Sequence, residues 1–404
     1  MLGPLDHPSG PLPGIAIASS PNPETVYLGS PGIAILPDGS YLASHDWFGP
    51  GTGNNEVSVH RSDDRGLTWR PLARLQGLLW PSLFVHRGMV YLLGNAGLYG
   101  AVVIRRSADG GRTWTEASDA ASGILRPARN HGAPVPVVVH AGRIWRGVEA
   151  VEGDEDWPRH FQSMMMSAPE EADLLRSANW CFTPAVAFDR DWISGACPGW
   201  LEGNAVVGPD GVIRNLLRTH AAPGMNDALP LVGSMADIPR WELAALARVS
   251  SDGRMQKFDP ARDFIHFPGS QSKFTVRFDA VSGRYWSLVQ KITNPHAGYD
   301  SRHSPYHQRN VLMLTSSADL VHWREERRVL RYREGRVVLT ESPVGFQYAD
   351  WQFDGPDMVA VIRTAWSGAA NYHDANHAMF FRVQNFRMAG ADAPDLGIEL
   401  RRGG

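Results

Sequence analysis

Two stretches of the chain alternate apolar and polar residues and then break at the same kind of turn. EVSVHRS (56–62) runs into DDRGLTW, and AVVIRRS (101–107) runs into ADGGRTW. Alternation with a period of two predicts a half-buried strand. The shared turn falls on Ser62, Asp64, Gly66, Thr68 and Trp69, then on Ser107, Asp109, Gly111, Thr113 and Trp114. Asp accepts backbone N–H bonds inside such a turn, and Gly takes a positive φ without steric cost. The Trp is expected to anchor the next strand, TWRPLARL or TWTEAS, in the space between sheets. Looser copies of the cadence end at Trp180 in 161–180, pass through Ser251-Asp252-Gly253 in 242–258, and end in Ser317, Asp319 and Trp323 in 310–323.

A hairpin precedes each of these units. The central turns fall at Asp38-Gly39 (31–47), Arg87-Gly88 (82–95), Ala141-Gly142 (133–149), Asp210-Gly211 (203–219), Ser282-Gly283 (272–291) and Asp354–Asp357 (346–364). Five of the six hairpins lead into a strand–turn–strand pair. The sixth is followed only by AMFFRVQNF (378–386), so the N-terminal strand GIAIAS (14–19) is the natural fourth strand that closes a ring. A repeat of four short strands predicts an all-β, six-bladed β-propeller of four-stranded antiparallel blades. The blades fall near 31–75, 80–118, 131–186, 200–265, 270–330 and 344–387, in a single domain over 1–404. Residues 220–270 leave room for a seventh blade.

Composition narrows this little. The formal charge of −3 over 404 residues, with 43% hydrophobic and 20% charged positions, describes an ordinary globular chain. It gives no concentrated basic face for nucleic acid, and no apolar run is long enough to span a membrane. Two cysteines, Cys181 and Cys197, are too few for a disulfide framework or a zinc site. The N-terminal segment has no basic region and no long apolar core, so the expected location is cytoplasmic, or secreted or periplasmic with a leader removed. No cofactor is expected. Asp and Asn oxygens near a propeller axis suit a structural Ca²⁺, though no spacing specifies one.

The doubled turn resembles the Asp-box of sialidases and related propellers. In a propeller the innermost strand starts on one face, the second strand returns to it, and the third runs away again. The Asp-box turn therefore lies on the far face and is structural. The functional mouth collects the starts of first strands: Ser30, Trp80, Asn130 with His131, Glu202 with Asn204, Lys273, and Gln347 with Tyr348. It also collects the ends of second strands: His45 with Asp46, Asn95, Arg146 with Glu149, Arg218 with His220, Lys291, and Arg363. Convergent ionisable groups in a concavity favour a site.

The resemblance to sialidases implies roles residue by residue. LEGNAVVGPDGVIRNLLR (201–218) is similar to the stretch from the catalytic Glu to the second arginine, which gives Glu202 and Arg218. Arg309 matches the third arginine, Tyr348 in GFQYADWQFDG the nucleophilic tyrosine, and Asp46 the acid/base aspartate. The first arginine is missing: in Val26-Tyr27-Leu28-Gly29-Ser30-Pro31 its place is taken by Gly29 or Ser30. Arg146 or Arg363 is the candidate substitute.

The C-terminal stretches, RTAWSGAANYHDANHAMFF among them, resemble sialidase-like propellers acting on uronic-acid polysaccharides, including lyases of rhamnosyl-glucuronate linkages. That resemblance implies a carbohydrate-active enzyme on an acidic oligosaccharide or polysaccharide. Its leading reaction is β-elimination at a uronate. Arginine neutralises the carboxylate, a base (His45, His131 or His373) removes the neighbouring proton, and Tyr348 protonates the leaving oxygen. Arg146, Arg218, Arg309, Arg363, His373, Asn204, Lys273 and Trp80 are the expected substrate contacts. One alternative is an exo-glycosidase using Tyr348–Glu202 as nucleophile pair and Asp46 as acid/base. The other is a carbohydrate-binding propeller without catalysis, in which these groups serve as strand caps, loop braces and arginine partners.

Overall fold

The computed structural model describes residues 8, 10–153, 157–193, 197, 199–220, 242–294, 307–335 and 342–397. These form six antiparallel sheets arranged as the blades of a propeller. Blade I pairs Tyr27–Leu28 and Gly32–Ile35 with Tyr41–Phe48, then Glu56–Ser62 and Arg70–Gln76. Blade II runs from Leu79–His86 through Met89–Asn95 and Val102–Ser107 to Ile124–Arg126. Blade III has a split inner strand, Asn130–His131 and Val138–His140, against Arg143–Val151, with Phe161–Pro169 and two short outer pieces. Blade IV comprises Gly199–Val207, Ile213–His220 and Leu243–Val249, the last edged by Gln256–Lys257 and Phe264–His266. Blade V comprises Val276–Asp279, Arg284–Gln290, Val311–Ser317 and Trp323–Arg331. Blade VI comprises Gly345–Asp354, Asp357–Ala365 and His377–Val383, completed by the N-terminal Ile15–Ser19.

Two expectations change. Thr113–Ser118 does not form the outer strand of blade II. After Thr115 N–H bonds to Arg106 the chain turns at 119–123, and Ile124–Arg126 takes the edge instead. No seventh sheet appears among the described residues, because 242–266 is used up in blade IV; the 221–241 part of the suggested span lies outside them. Both cysteines are free. No helix among the described residues is long and apolar enough to cross a membrane.

The repeated turn has the same wiring in both copies. Asp64 Oδ1 accepts from Ser62 Oγ (2.8 Å) and Thr68 N–H (2.9 Å), and Oδ2 from Thr68 Oγ1 (2.6 Å). Asp109 repeats this with Ser107 (2.8 Å) and Thr113 (2.9 and 2.7 Å). The Trp packs toward the preceding blade: Trp69 against Phe380 of blade VI at 5.6 Å, Trp114 on the apolar layer between blades I and II, and in the looser copy Trp323 against Phe267, just after the last strand of blade IV, at 4.6 Å. Gly66 is required at φ 94°, since a Cβ there would stand 2.3 Å from the Phe380 ring. The core is thus a series of interblade layers rather than one central mass.

Side chains on the innermost strands also lace neighbouring blades together. Ser82 Oγ donates to the Val135 carbonyl (2.7 Å), Asn204 Oδ1 accepts Val276 N–H (3.0 Å), and Asp350 Oδ2 accepts Ile33 N–H (2.9 Å). These bonds pin blade II to III, IV to V, and VI to I.

Candidate active site

A local backbone device sets the mouth. In blades I, II, IV and VI the pairing of the first two strands slips by one residue, between Leu28 and Gly32, Leu79 and Ser82, Leu201 and Asn204, and Gln347 and Asp350. A bulge of this kind re-aims the extra side chain. The bulged residues are Ser30, Trp80, Glu202 and Tyr348. Three of them adopt left-handed backbone, with φ of 54° at Trp80, 58° at Glu202 and 56° at Tyr348. A non-glycine residue in that region carries a cost of about 1–2 kcal/mol, and such strain concentrates at functional sites.

All four bulged residues line a pocket of about 190 Å³, together with Asp46, Phe48, Asn54, Leu98, His131, Trp157, Arg363 and His373. At its centre Tyr348 Oη donates to Glu202 Oε1 at 2.8 Å. Arg218 Nη1 donates to Glu202 Oε2 at 2.8 Å and lies 3.4 Å from the same hydroxyl. Burial alone would raise the Glu202 carboxyl, but Arg218, His131 and the Tyr348 hydroxyl outweigh it and hold it below the ordinary carboxylate value. Burial, and then the Glu202 charge, push the Tyr348 phenol upward. The pair is therefore an ionised base holding a neutral phenol.

Asp46 belongs to blade I, on the far side of the ring from Glu202. It is completely buried. Burial pushes it up to about 7, against the pull of Arg363 and of hydrogen bonds from the Ser30 hydroxyl and the backbone N–H groups of Asp46 and Trp80. Such a carboxyl is poised to give and take a proton near neutrality. A Cβ at Gly29 would stand 2.1 Å from Asp46 Oδ2, so the carboxyl occupies the space that a side chain at 29 would need.

Arg363 lies 4.4 Å over Phe48 and 5.1 Å over Tyr348, donates through Nε to the His373 carbonyl at 3.2 Å, and makes no ion pair among the described residues. His131 stacks on Phe161 at 4.3 Å. Its Nδ1 is 2.9 Å from Glu149 Oε2, while Glu149 Oε1 accepts Gly203 N–H at 3.1 Å and so braces the blade IV bulge. His373 is held by Asp374 at 2.8 Å with its side chain about half exposed at the rim.

The other predicted contacts do not line this pocket among the described residues, although Arg309 lies within electrostatic reach of Arg218, Tyr348 and Glu202. His45 alternates away from Asp46, edge-on to Trp47 at 4.7 Å and stacked on His60 at 5.3 Å, and burial pushes it down to about 3. Arg146 is buried and donates to Ser82 Oγ and to the carbonyls of Ala133 and Gly147. Asn204 donates to the carbonyls of Glu202 and Phe274 as part of the lacing. Arg309 is buried, donates to Ser272 and the Gln271 carbonyl, and lies 6.0 Å over Tyr372. Lys273 has no exposed surface. Sequence reasoning missed Phe48, Asn54, Leu98 and Trp157. Phe48 alone carried a signal, two residues past Asp46 on the same strand face. Among the described residues no group of three or more His, Cys, Asp or Glu side chains converges to hold a metal ion.

No family model matches the chain, and no curated protein is similar to it in sequence. Solved structures do share its fold. An α-L-arabinanase of Penicillium chrysogenum complexed with arabinobiose superposes with a TM-score of 0.53 at 15% identity, over 94% of this chain and 99% of that one. An α-L-arabinofuranosidase of Fusarium graminearum, also with arabinobiose, gives 0.54 at 11%, over 93% and 98%. The leech intramolecular trans-sialidase gives 0.55 at 11%, over 94% of this chain and 71% of that one. The chain folds as a sialidase-like six-bladed propeller.

Proposed function

We propose that the protein is a glycoside hydrolase that removes a terminal acidic sugar with retention of configuration. The observation that carries this reading is the Tyr348–Glu202–Arg218 relay sharing one small pocket with a buried carboxyl poised near neutrality. Tyr348 Oη attacks the anomeric carbon while its proton passes to Glu202, and Asp46 gives its proton to the departing glycosidic oxygen. In the second half Asp46 takes a proton from water. The water oxygen attacks the anomeric carbon, and Tyr348 leaves, regaining its proton from Glu202.

A neutral nucleophile suits a sugar whose own carboxylate would repel an anionic one. Arg363, which makes no ion pair among the described residues, is the group to receive that carboxylate. A volume of about 190 Å³ falls below the roughly 300–1,000 Å³ of pockets for drug-sized ligands. It suits one sugar ring at a chain end, hence exo action. One observation favours a second reading: His131 lines the same pocket with its Nδ1 engaged by Glu149, an arrangement that also suits proton abstraction in β-elimination.

The deciding experiment is a screen of uronate- and sialate-capped glycans with wild type and Tyr348→Phe, recording released sugar and ultraviolet absorbance together. Release without new absorbance, abolished in the variant, supports the hydrolase. Release with the absorbance of an unsaturated acid overturns it in favour of the lyase. Tight sugar binding with neither signal overturns it in favour of a binding propeller.

A further inference from the structure

Five innermost strands carry a side chain at the same height: Ser30, Trp80, Glu202, Lys273 and Tyr348. The lacing bonds fix the equivalence in blade V. Asn204 takes the N–H of Val276, three residues after Lys273, as Asp350 takes the N–H of Ile33, three residues after Ser30. Four of the five line the pocket, and Lys273 does not. Its side chain is fully buried, and it makes no ion pair among the described residues. Its Nζ donates to Thr275 Oγ1 at 2.8 Å and to the Ala349 carbonyl at 3.2 Å, and Thr275 Oγ1 donates to the same carbonyl at 3.1 Å. That carbonyl belongs to the residue directly after Tyr348.

Burying an ammonium without an ion pair is costly, and an apolar residue of equal length would avoid the cost. Lys273 instead lies within electrostatic reach of three charged groups, Asp350, Glu202 and Arg277. Asp350 Oδ1 accepts from Arg277 Nη2 at 3.1 Å. Burial pushes the Lys273 ammonium down to about 8, with Asp350 and Glu202 holding it up and Arg277 opposing them. It is charged throughout the range in which Glu202 loses its proton.

We propose that Lys273 is a positioning residue beneath the active site, clamping the peptide that follows Tyr348 and supplying a fixed positive charge under Glu202. The inference rests on the reading of Tyr348 and Glu202 as the reacting pair. Lys273 acts on that pair without touching the sugar. It joins Arg218, His131 and the Tyr348 hydroxyl, from blades IV, III and VI, and the more distant Arg309 and Arg363, which also interact with Glu202, in keeping the carboxyl ionised.

The test separates charge from packing, and the inference from the activity. Glutamate labelled with ¹³C at the side-chain carboxyl is titrated in the folded protein. The Glu202 resonance is identified by its loss in Glu202→Gln. Lys273→Met keeps the stem and removes the charge, and the Glu202 midpoint is expected to rise by about half a pH unit or more. Lys273→Arg restores the charge and is expected to return the midpoint toward wild type. The acid limb of kcat/KM moves with the midpoint, and kcat falls more than KM rises. Lys273→Gln, uncharged but still a donor, gives the same comparison should the Met variant not fold. An unchanged midpoint in the uncharged variant overturns the proposal, as does an equal rise in Lys273→Arg. A shifted midpoint in a protein that turns over no glycan upholds the role of Lys273 and removes the hydrolase reading instead.

Discussion

Gly29→Ala is the sharpest probe of Asp46. Gly29 is not in the left-handed region, so the backbone admits alanine, and the clash is confined to the Asp46 carboxyl at 2.1 Å. Ordinary contact begins near 3.4 Å, so the carboxyl must move by more than about 1 Å, and a misplacement of that size costs about 100-fold in rate, or about 2.7 kcal/mol of barrier. The loss should depend on the leaving group, because only a poor one needs a proton from Asp46. The assay compares kcat/KM for a nitrophenyl and an alkyl glycoside of the same acidic sugar, in wild type and variant. We expect about 100-fold loss on the alkyl glycoside and little on the nitrophenyl one, with the thermal midpoint nearly unchanged. Equal losses on both substrates, or no loss on either, would refute the assignment of Asp46 as the proton donor.

Asp46 also ties stability to pH. Its carboxyl is raised in the fold from 3.8 to about 7, so the stability it confers is fully present below about pH 4 and is lost as pH rises through about 7. At about 1.4 kcal/mol per unit this amounts to about 4 kcal/mol; Asp46→Asn should lack this decline in denaturant titrations from pH 4 to 8, and should be inactive on alkyl glycosides. Wild-type kcat/KM should hold a plateau between an acid limb set by Glu202, below the ordinary carboxylate value, and a basic limb near pH 7 set by Asp46. Arg363→Met should raise KM about 10-fold or more for acidic sugars and leave neutral analogues nearly unchanged, checked by paired kinetics. Asn204→Ala strands the buried Val276 N–H and should cost about 1–3 kcal/mol in denaturant unfolding.

The ring was legible because every blade repeats an alternating hairpin, and two blades add a full copy of a turn whose chemistry is local. Ser62–Trp69 and Ser107–Trp114 need only their own neighbours to form, so the pattern alone placed them. The mouth was legible to within a residue or two. Alternation places one of His45 and Asp46 toward the axis, but nothing in the sequence says which, and the structure puts Asp46 there. Arg146 and Asn204 were expected as sugar contacts because they sit near the ends of mouth-facing strands. Packing turns both to hold neighbouring strands, Arg146 through carbonyls and Asn204 through the blade IV to V lacing. The one-residue slips at Trp80, Glu202 and Tyr348 depend on pairing with the second strand and leave no trace in a period-two pattern. Trp157 and Leu98 reach the pocket from loops whose course is set by tertiary contacts.

Those slips have a consequence for how such a molecule can change. A side chain held at a bulge belongs to no ladder: its neighbours on either side carry the pairing, and the residues two positions on carry the lacing. Trp80, Glu202 and Tyr348, on every second blade, are in effect sockets around a common bore. What is fitted in them can be exchanged while the housing keeps its shape. An aromatic platform, an acid and a phenol occupy them here, and a different set would give the same housing a different trade.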